Sequence, residues 1–175
     1  MTGVGDVFWV FDACHMLKLI RNLLHDYDTI TICQPDGSVG FVRWSYIAAL
    51  HHLQSTDSLN LANKLGSRHI NYRRAVTKVK LASQTLSRSV ATAIDFLRDE
   101  IKMPQFRGSE STTQFILRID SLFDVLNSRH PLGRHLKAPL STGNRHLWAP
   151  FLEETYLYLS MLRDKNGMLL LNMQM

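Results

Sequence analysis

An α+β fold, predominantly α-helical, is what this chain predicts, and three observations carry that prediction. Val7, Phe8, Trp9, Val10 and Phe11 form a short run of β-branched and aromatic residues, as a strand covered on both faces requires. Two more β-like runs, Thr29 to Cys33 and Val39 to Val42, flank a strong turn signal. Past Arg43 the apolar residues recur at helical spacing almost without interruption.

Taken in order, the period changes at Ala13, where Met16, Leu19, Ile20 and Leu23 come to share one helical face. Lys18 and Arg21 are then available to solvent or to phosphate, and the helix is expected to fade near Asp26. Asp12 stands at the mouth of this strand-to-helix turn. It can cap the helix, accepting hydrogen bonds from the first free N–H groups for ~1 kcal/mol. Spacing alone favours that cap over a role in holding Mg²⁺ beside a phosphate, and the two roles are compatible. Between the β-like runs, Pro35-Asp36-Gly37 supplies a fixed φ and then residues tolerant of positive φ, so a hairpin is predicted.

Trp44 to Gln54 reads as a helix presenting Trp44, Ile47, Ala48 and His51, with His51 and His52 on its ordinary surface. A second helix holding Leu59, Leu61, Ala62 and Leu65 is broken by Gly66. Leu81 to Arg98 reads as one helix, with Ala82, Leu86, Ser89, Val90, Ala93 and Leu97 on its packed face. Ser109 and Glu110 open another, whose stripe is Phe115, Ile116, Ile119, Leu122, Phe123 and Leu126. A last helix is expected over Leu147 to Arg163, turning Phe151, Leu152, Thr155, Tyr156 and Leu159 inward. Asp164 to Gly167 is a turn, and Met168 to Met175 begins a new apolar segment that reads as cut short.

The 175 residues suggest one domain, or one domain with pieces of another, and an apolar fraction of 45% is ample for a packed core. A formal charge of +5 leans toward anionic partners. Cys14 and Cys33 have no zinc spacing and make no disulfide framework, which points to a reducing compartment. No secretory signal or membrane-spanning run is visible, so no membrane partner is expected.

Two stretches carry chemistry. From Ser58 to Ile94 there is no Asp or Glu, although the chain has 15 acids, while Lys64, Arg68, Arg73, Arg74, Lys78, Lys80 and Arg88 are all basic. A solvated face explains such a run, and so does a surface for nucleotide or DNA phosphates. The second stretch is Phe123-Asp124-Val-Leu-Asn127-Ser128-Arg129, in which Asp124 and Asn127 are neighbours on one helix flank. A carboxylate accepts the paired N1–H and N2 amino donors of guanine, which adenine lacks, and an aromatic can stack on the base. Spacing alone reads the same residues as a core Phe123, an exposed Asp124 and a helix C-cap at Asn127-Ser128. No phosphate loop of the Gly-x₄-Gly-Lys type is present, and Asn63-Lys64-Leu65-Gly66 lacks the aspartate of an Asn-Lys-x-Asp guanine reader.

Asp12-Ala-Cys-His15-Met-Leu-Lys18-Leu-Ile-Arg21-Asn22 resembles the Asp-x-Cys-His-x-x-Lys-x-x-Arg-Asn stretch of P element-type (THAP-domain) DNA transposases. Asn63-Lys64, His69-Ile70-Asn71, Lys78 to Ala91, Phe106 to Glu110 and Phe123 to Arg129 follow in order. They are similar to the GTP-binding insertion domain of that family. The resemblance implies a short RNase H-like strand/helix segment with a hairpin over 1–42, a helical GTP-binding insertion domain over 43–165, and a truncated return to the catalytic domain over 166–175. It implies GTP as an assembly cofactor rather than a fuel, with Phe123 and Val79 sandwiching the base and Asp124 reading its edge. Lys64 and Lys78 would approach ribose or phosphates, Ser87 and Asn127 would support, and Asp57 is a further candidate.

The same resemblance makes Asp12 one catalytic, Mg²⁺-binding carboxylate of three. The first would precede Met1 and the glutamate would follow Met175, so this chain alone is expected to be catalytically silent. The expected partners are transposon-end DNA and GTP, with a homo-oligomer in the full-length protein and a nuclear location. The alternative is a non-catalytic basic helical module, derived from a transposase, that binds DNA or protein.

Overall fold

The computed structural model describes residues 12–34, 36–57, 61–71, 73, 76–128 and 132–170. The strand expected at Val7 to Phe11 lies outside them. The predicted class holds: helices surround a small three-stranded sheet of order β2-β1-β3. Helix α1 (Ala13–Tyr27) leads into β1 (Thr29–Cys33) and β2 (Val39–Arg43), which pair antiparallel with Thr29 opposite Arg43 and Cys33 opposite Val39. The hairpin forms where the turn signal placed it. Gly37 donates its N–H to the Gln34 carbonyl at 3.0 Å and takes φ +83°, a left-handed conformation that suits glycine.

Helix α2 (Trp44–Asp57) follows directly, burying Trp44, Tyr46, Ile47, Leu50 and Leu53. Of the helix expected around Leu59 to Leu65, Leu59 lies outside the described residues, 61–64 form turns, and Gly66 precedes the short α3 (Ser67–Ile70). α2 runs three residues past the expected Gln54, and side chains bond its last turns. The Ser55 and Thr56 hydroxyls bond back to the His51 and His52 carbonyls at 2.9 and 3.0 Å, and the Gln54 amide oxygen takes the Ala62 N–H at 2.6 Å.

The single helix expected from Leu81 to Arg98 is two: α4 (Val79–Thr85) and α5 (Arg88–Asp99). Ser87 is extended at φ −109°, ψ 155°, and its hydroxyl donates to the Gln84 carbonyl at 2.9 Å. Serine competes well for such local bonds, so the chain kinks there while Leu86 and Val90 stay buried on either side. α6 (Glu110–Leu126) opens after Ser109 as expected, buries Phe115, Ile116, Ile119, Leu122 and Val125, and leaves Phe123 half-buried. Arg98 ties α5 to it, contacting Asp95 at 2.8 Å, Asp99 at 2.6 Å, Glu110 at 3.5 Å and the Ser109 hydroxyl at 3.1 Å.

The last helix, α7, spans Arg145–Ser160, and Leu162–Arg163 form β3 against β1 instead of extending it. Of the residues expected inward, Thr155 is buried, while Tyr156 is 66% exposed. α7 therefore rests on α6 by a narrow contact. The turn after β3 forms as predicted: Asp164 is buried, its carboxylate accepts the Asn166 and Met168 N–H groups at 2.8 Å each, and Gly167 has φ +80°.

One hydrophobic core runs through the sheet and helices, from Leu17 and Ile30 to Leu162 and Leu170. α1 is gripped from two sides, by α4 and by α6. That corrects the reading of Arg21 as solvent-facing: it is fully buried, donating to the Val76 carbonyl at 3.1 Å and the Asn22 amide oxygen at 2.7 Å. A helix with two covered flanks buries one stripe more than its apolar face alone. Leu17 and Leu24 are buried with Arg21, while Met16, Leu19, Ile20 and Leu23 border an apolar cavity of about 150 Å³.

The first turn of α6 meets β2 at Gly40, where an added Cβ would strike the Ser111 side chain and lie 2.8 Å from the Ile32 side chain. Gly40→Ala should therefore destabilise the fold by ~1–3 kcal/mol, the usual cost of overpacking. Thermal unfolding measures it, and an unchanged midpoint would mean that α6 is not seated where Gly40 places it.

Candidate functional site

The residues singled out in sequence fall on the rim of the helical part. Asp124 and Asn127 lie at the C-terminal end of α6, with Asn127 as its C-cap, donating its N–H to the Phe123 carbonyl at 2.9 Å. The Asn127 side-chain amide makes no hydrogen bond among the described residues. Asp124 is 30% exposed and pairs at 3.3 Å with Lys137 Nζ, which comes from the loop after α6. Phe123 turns away from this flank. It lines the α1–α6 seam with Ala13, Met16, Leu17 and Ile20, which is the core role that spacing suggested.

One turn before Asp124, Asp120 joins the same flank, a residue that the sequence reading did not single out. Its i, i+4 spacing to Asp124 was the signal available. Burial first, and the Asp124 charge second, push the Asp120 carboxyl above its usual range. The Arg88 charge, the Arg88 backbone N–H and the more distant Lys137 charge pull the other way. The Arg88 contacts fix a spatial relation: the start of α5, with Ser87 as its N-terminal flanking residue, faces the carboxylate flank of α6. The break after Thr85 makes this possible, because an unbroken helix would not present its backbone N–H groups there.

Lys78 precedes α4 and is exposed, and Val79 is the half-buried first residue of that helix. Lys64 is exposed in the turns over 61–64. Asp57 ends α2, and its side chain is outside the described set. Lys64, Arg68, Arg73, Lys78, Lys80 and Arg88 are all exposed, and none makes an ion pair within 4 Å with an acid among the described residues. Arg88 lies near Asp120, and the remaining exposed cations add positive charge to the surface and favour polyanions. Beneath it, α4 is tied to α3 through His69, whose Nε2 bonds the Gln84 amide oxygen at 3.0 Å while Nδ1 accepts the Gly66 N–H at 3.0 Å.

Asp12 stands immediately before α1 as its N-cap. It is exposed, and its two oxygens accept the Cys14 and His15 N–H groups at 3.0 and 3.2 Å, which establishes the cap. No cluster of three or more His, Cys, Asp or Glu suited to a metal ion occurs among the described residues. Asp12 by itself offers one carboxylate to a divalent cation, too few ligands to define a site. Among the described residues, no helix is long and apolar enough to cross a membrane.

Comparison with known proteins places this geometry. Residues 14–139 match the family described as "TNP-like, GTP-binding insertion domain". Human DNA transposase THAP9 is 33% identical over 134 residues, which is 77% of this chain and 14% of that protein. The fold is similar to a chain of the Drosophila P element transposase strand transfer complex, with TM-score 0.70 and 24% identity over 90% of this chain and 35% of the other. The chain thus spans a small part of the proteins it resembles. From the family match over residues 14–139, this chain belongs to the TNP-like GTP-binding insertion domain family and is similar to a segment of P element-type transposases.

Proposed function

We propose that this chain binds GTP as an assembly cofactor of a cut-and-paste DNA transposase. The observation that carries the reading is the carboxylate flank of α6, where Asp124 follows Asp120 by one turn and Asp120 meets the Arg88 start of α5, inside the stretch matched to the insertion-domain family. In this reading Asp124 accepts the guanine N1–H and N2 amino donors, exchanging Lys137 for the base. Asn127, with its free amide, supports the base or ribose. Ser87 lies beside them, and Lys64 and Lys78 meet the phosphates with the neighbouring cations. Val79 and Phe123 flank the base, which requires the Phe123 ring to leave part of its seat against α1. Adenine would leave the Asp124 charge without its two donors, so guanine is selected by the cost of that loss.

The wider protein follows as a proposal. Residues 1–42 would be part of an RNase H-like catalytic segment, 43–165 the insertion domain, and 166–175 the return to the catalytic domain. Asp12 would be one ligand of a Mg²⁺ that supplies Lewis-acid chemistry for DNA cleavage and strand transfer, its other ligands coming from beyond this chain. Transposon-end DNA is the proposed partner, consistent with the transposase complex among the similar structures, within a nuclear homo-oligomer. This chain by itself would hydrolyse no DNA.

Calorimetric titration with GTP and ATP tests the site. Micromolar GTP affinity, much weaker ATP binding and a loss of ~10–100-fold in Asp124→Ala are expected, because a hydrogen bond to a charged group contributes ~1.5–3 kcal/mol. Failure of the folded chain to bind either nucleotide, with salt-sensitive DNA binding retained, would replace this reading by the basic DNA-binding module.

The carboxylate flank has a pH signature of its own. Because the folded-state pKa of Asp120 is raised from 3.8, its contribution to stability is complete below that value and is lost as pH rises through the raised pKa. Relative to Asp120→Asn, the wild-type chain should therefore lose stability as pH rises from 3.8 through the raised pKa. Urea unfolding at several pH values reads the difference, and parallel curves for the two proteins would remove Asp120 from the buried flank.

A further inference from the structure

About a quarter turn around α6 from Asp120 and Asp124, a different set of side chains faces a separate cleft. It has a volume of about 420 Å³ and lies between the end of β1, α6 and α7. Gln34, Gln114, Arg118, Ser121 and Tyr158 bring polar groups to it, Phe151 is part of its apolar wall, and no carboxylate lines it. Arg118 has no ion-pair partner among the described residues. Its guanidinium sits 5.0 Å from the Tyr158 ring centroid and makes one long bond, 3.4 Å, to the Thr155 hydroxyl. The side chains of Gln34, Gln114 and Ser121 make no hydrogen bond among the described residues.

A guanidinium carries five N–H donors in a fixed fork, and a half-buried one with a single long bond is underused. Stacking on Tyr158 fixes its plane and limits the entropy lost when it grips a ligand. Burial raises the Tyr158 hydroxyl to a pKa of about 12, so it keeps its proton and remains a donor at neutral pH. Two amides and a second hydroxyl add further donors around one cationic fork. A carboxylate has two oxygens to satisfy such a set, whereas a phosphomonoester has three terminal oxygens and two charges at most. The cleft is also much larger than a bare phosphate, within the usual range for small organic ligands.

We propose that this cleft binds a phosphomonoester on a small organic body of nucleotide size, with Arg118 gripping the phosphate and Gln34, Gln114 and Ser121 completing its hydrogen bonds. The ligand can be a free nucleoside monophosphate or the 5′-phosphorylated end of a DNA strand. The site is independent of the guanine-reading flank and stands whether or not that flank binds GTP.

Nuclear magnetic resonance titration of the whole 175-residue chain tests it, using AMP, adenosine, and a short oligodeoxynucleotide with and without a 5′-phosphate. Saturable shifts of the Arg118 Nε–H and the Gln34 and Gln114 side-chain amides are expected with AMP, or with the 5′-phosphorylated strand alone if the strand end is the source. Arg118→Gln should weaken this binding at least tenfold. Gln114→Leu, at an exposed position that folding tolerates, should weaken it severalfold, and Asp124→Ala should leave it unchanged. The proposal is overturned if no phosphorylated probe shifts these signals at millimolar concentration. It is equally overturned if adenosine shifts them as strongly as AMP, or if the folded Arg118→Gln variant binds as the wild type does.

Discussion

The structure depends on how the first turn of α6 is fastened to the outer edge of β2. Thr112 is fully buried there, and its hydroxyl works in both directions: it accepts the Arg43 N–H at 3.0 Å and donates to the Phe41 carbonyl at 3.3 Å. An edge strand has backbone groups that no neighbouring strand satisfies, and burying them unpaired is costly. One threonine answers that requirement, while Gly40 gives the helix room to approach. The Arg98 ion pairs at the opening of the same helix hold it to α5. From this anchored start α6 runs through the core, so the direction of every side chain along it is fixed by the sheet.

That anchoring gives α6 three working flanks. Phe115, Ile116 and Ile119 belong to the core, and Phe123 extends it toward α1. Asp120 faces the start of α5, with Asp124 one turn on beside Lys137, and Gln114, Arg118 and Ser121 face the cleft beside α7. A helix surrounded on all sides normally carries apolar residues on all sides. Here the polar flanks are retained, and each carboxylate has a cation near it, Arg88 for Asp120 and Lys137 for Asp124. Lys137 is mostly exposed and held by a single surface contact, worth little in water, so exchanging it for another donor costs little. The Asp124 carboxylate is thus held by a group that is easy to displace.

The surrounding charge is distributed in a way that suits a polyanion. Asp95, Asp99 and Glu110 gather around Arg98, whereas Lys64, Arg68, Lys78 and Lys80 stand exposed without acidic partners among the described residues. Like charges left close together weaken a fold slightly, and a phosphate ligand reverses that effect. The family relationship and the charge pattern therefore point the same way by separate routes, one through descent and one through electrostatics.

The sequence by itself determined the local elements. Asp12 as a cap, the hairpin turn at Asp36-Gly37, the stripe of α6 and the Asp164 to Gly167 turn are all short-range matters, decided by backbone conformation and the nearest hydrogen bonds. The ordered motifs also identified the family, because they span the whole matched stretch. Only the tertiary structure decided which flanks were covered. Arg21 looked like a solvent-facing cation on an amphipathic helix, yet α4 lies over it; Tyr156 looked inward, yet α7 touches α6 along too narrow a line to cover it. The break at Leu86-Ser87 and the approach of Arg88 to Asp120 belong to the same class. Periodicity shows that a helix has an apolar side, but burial of the other sides depends on neighbours distant in sequence, and one chain's local pattern carries no record of them.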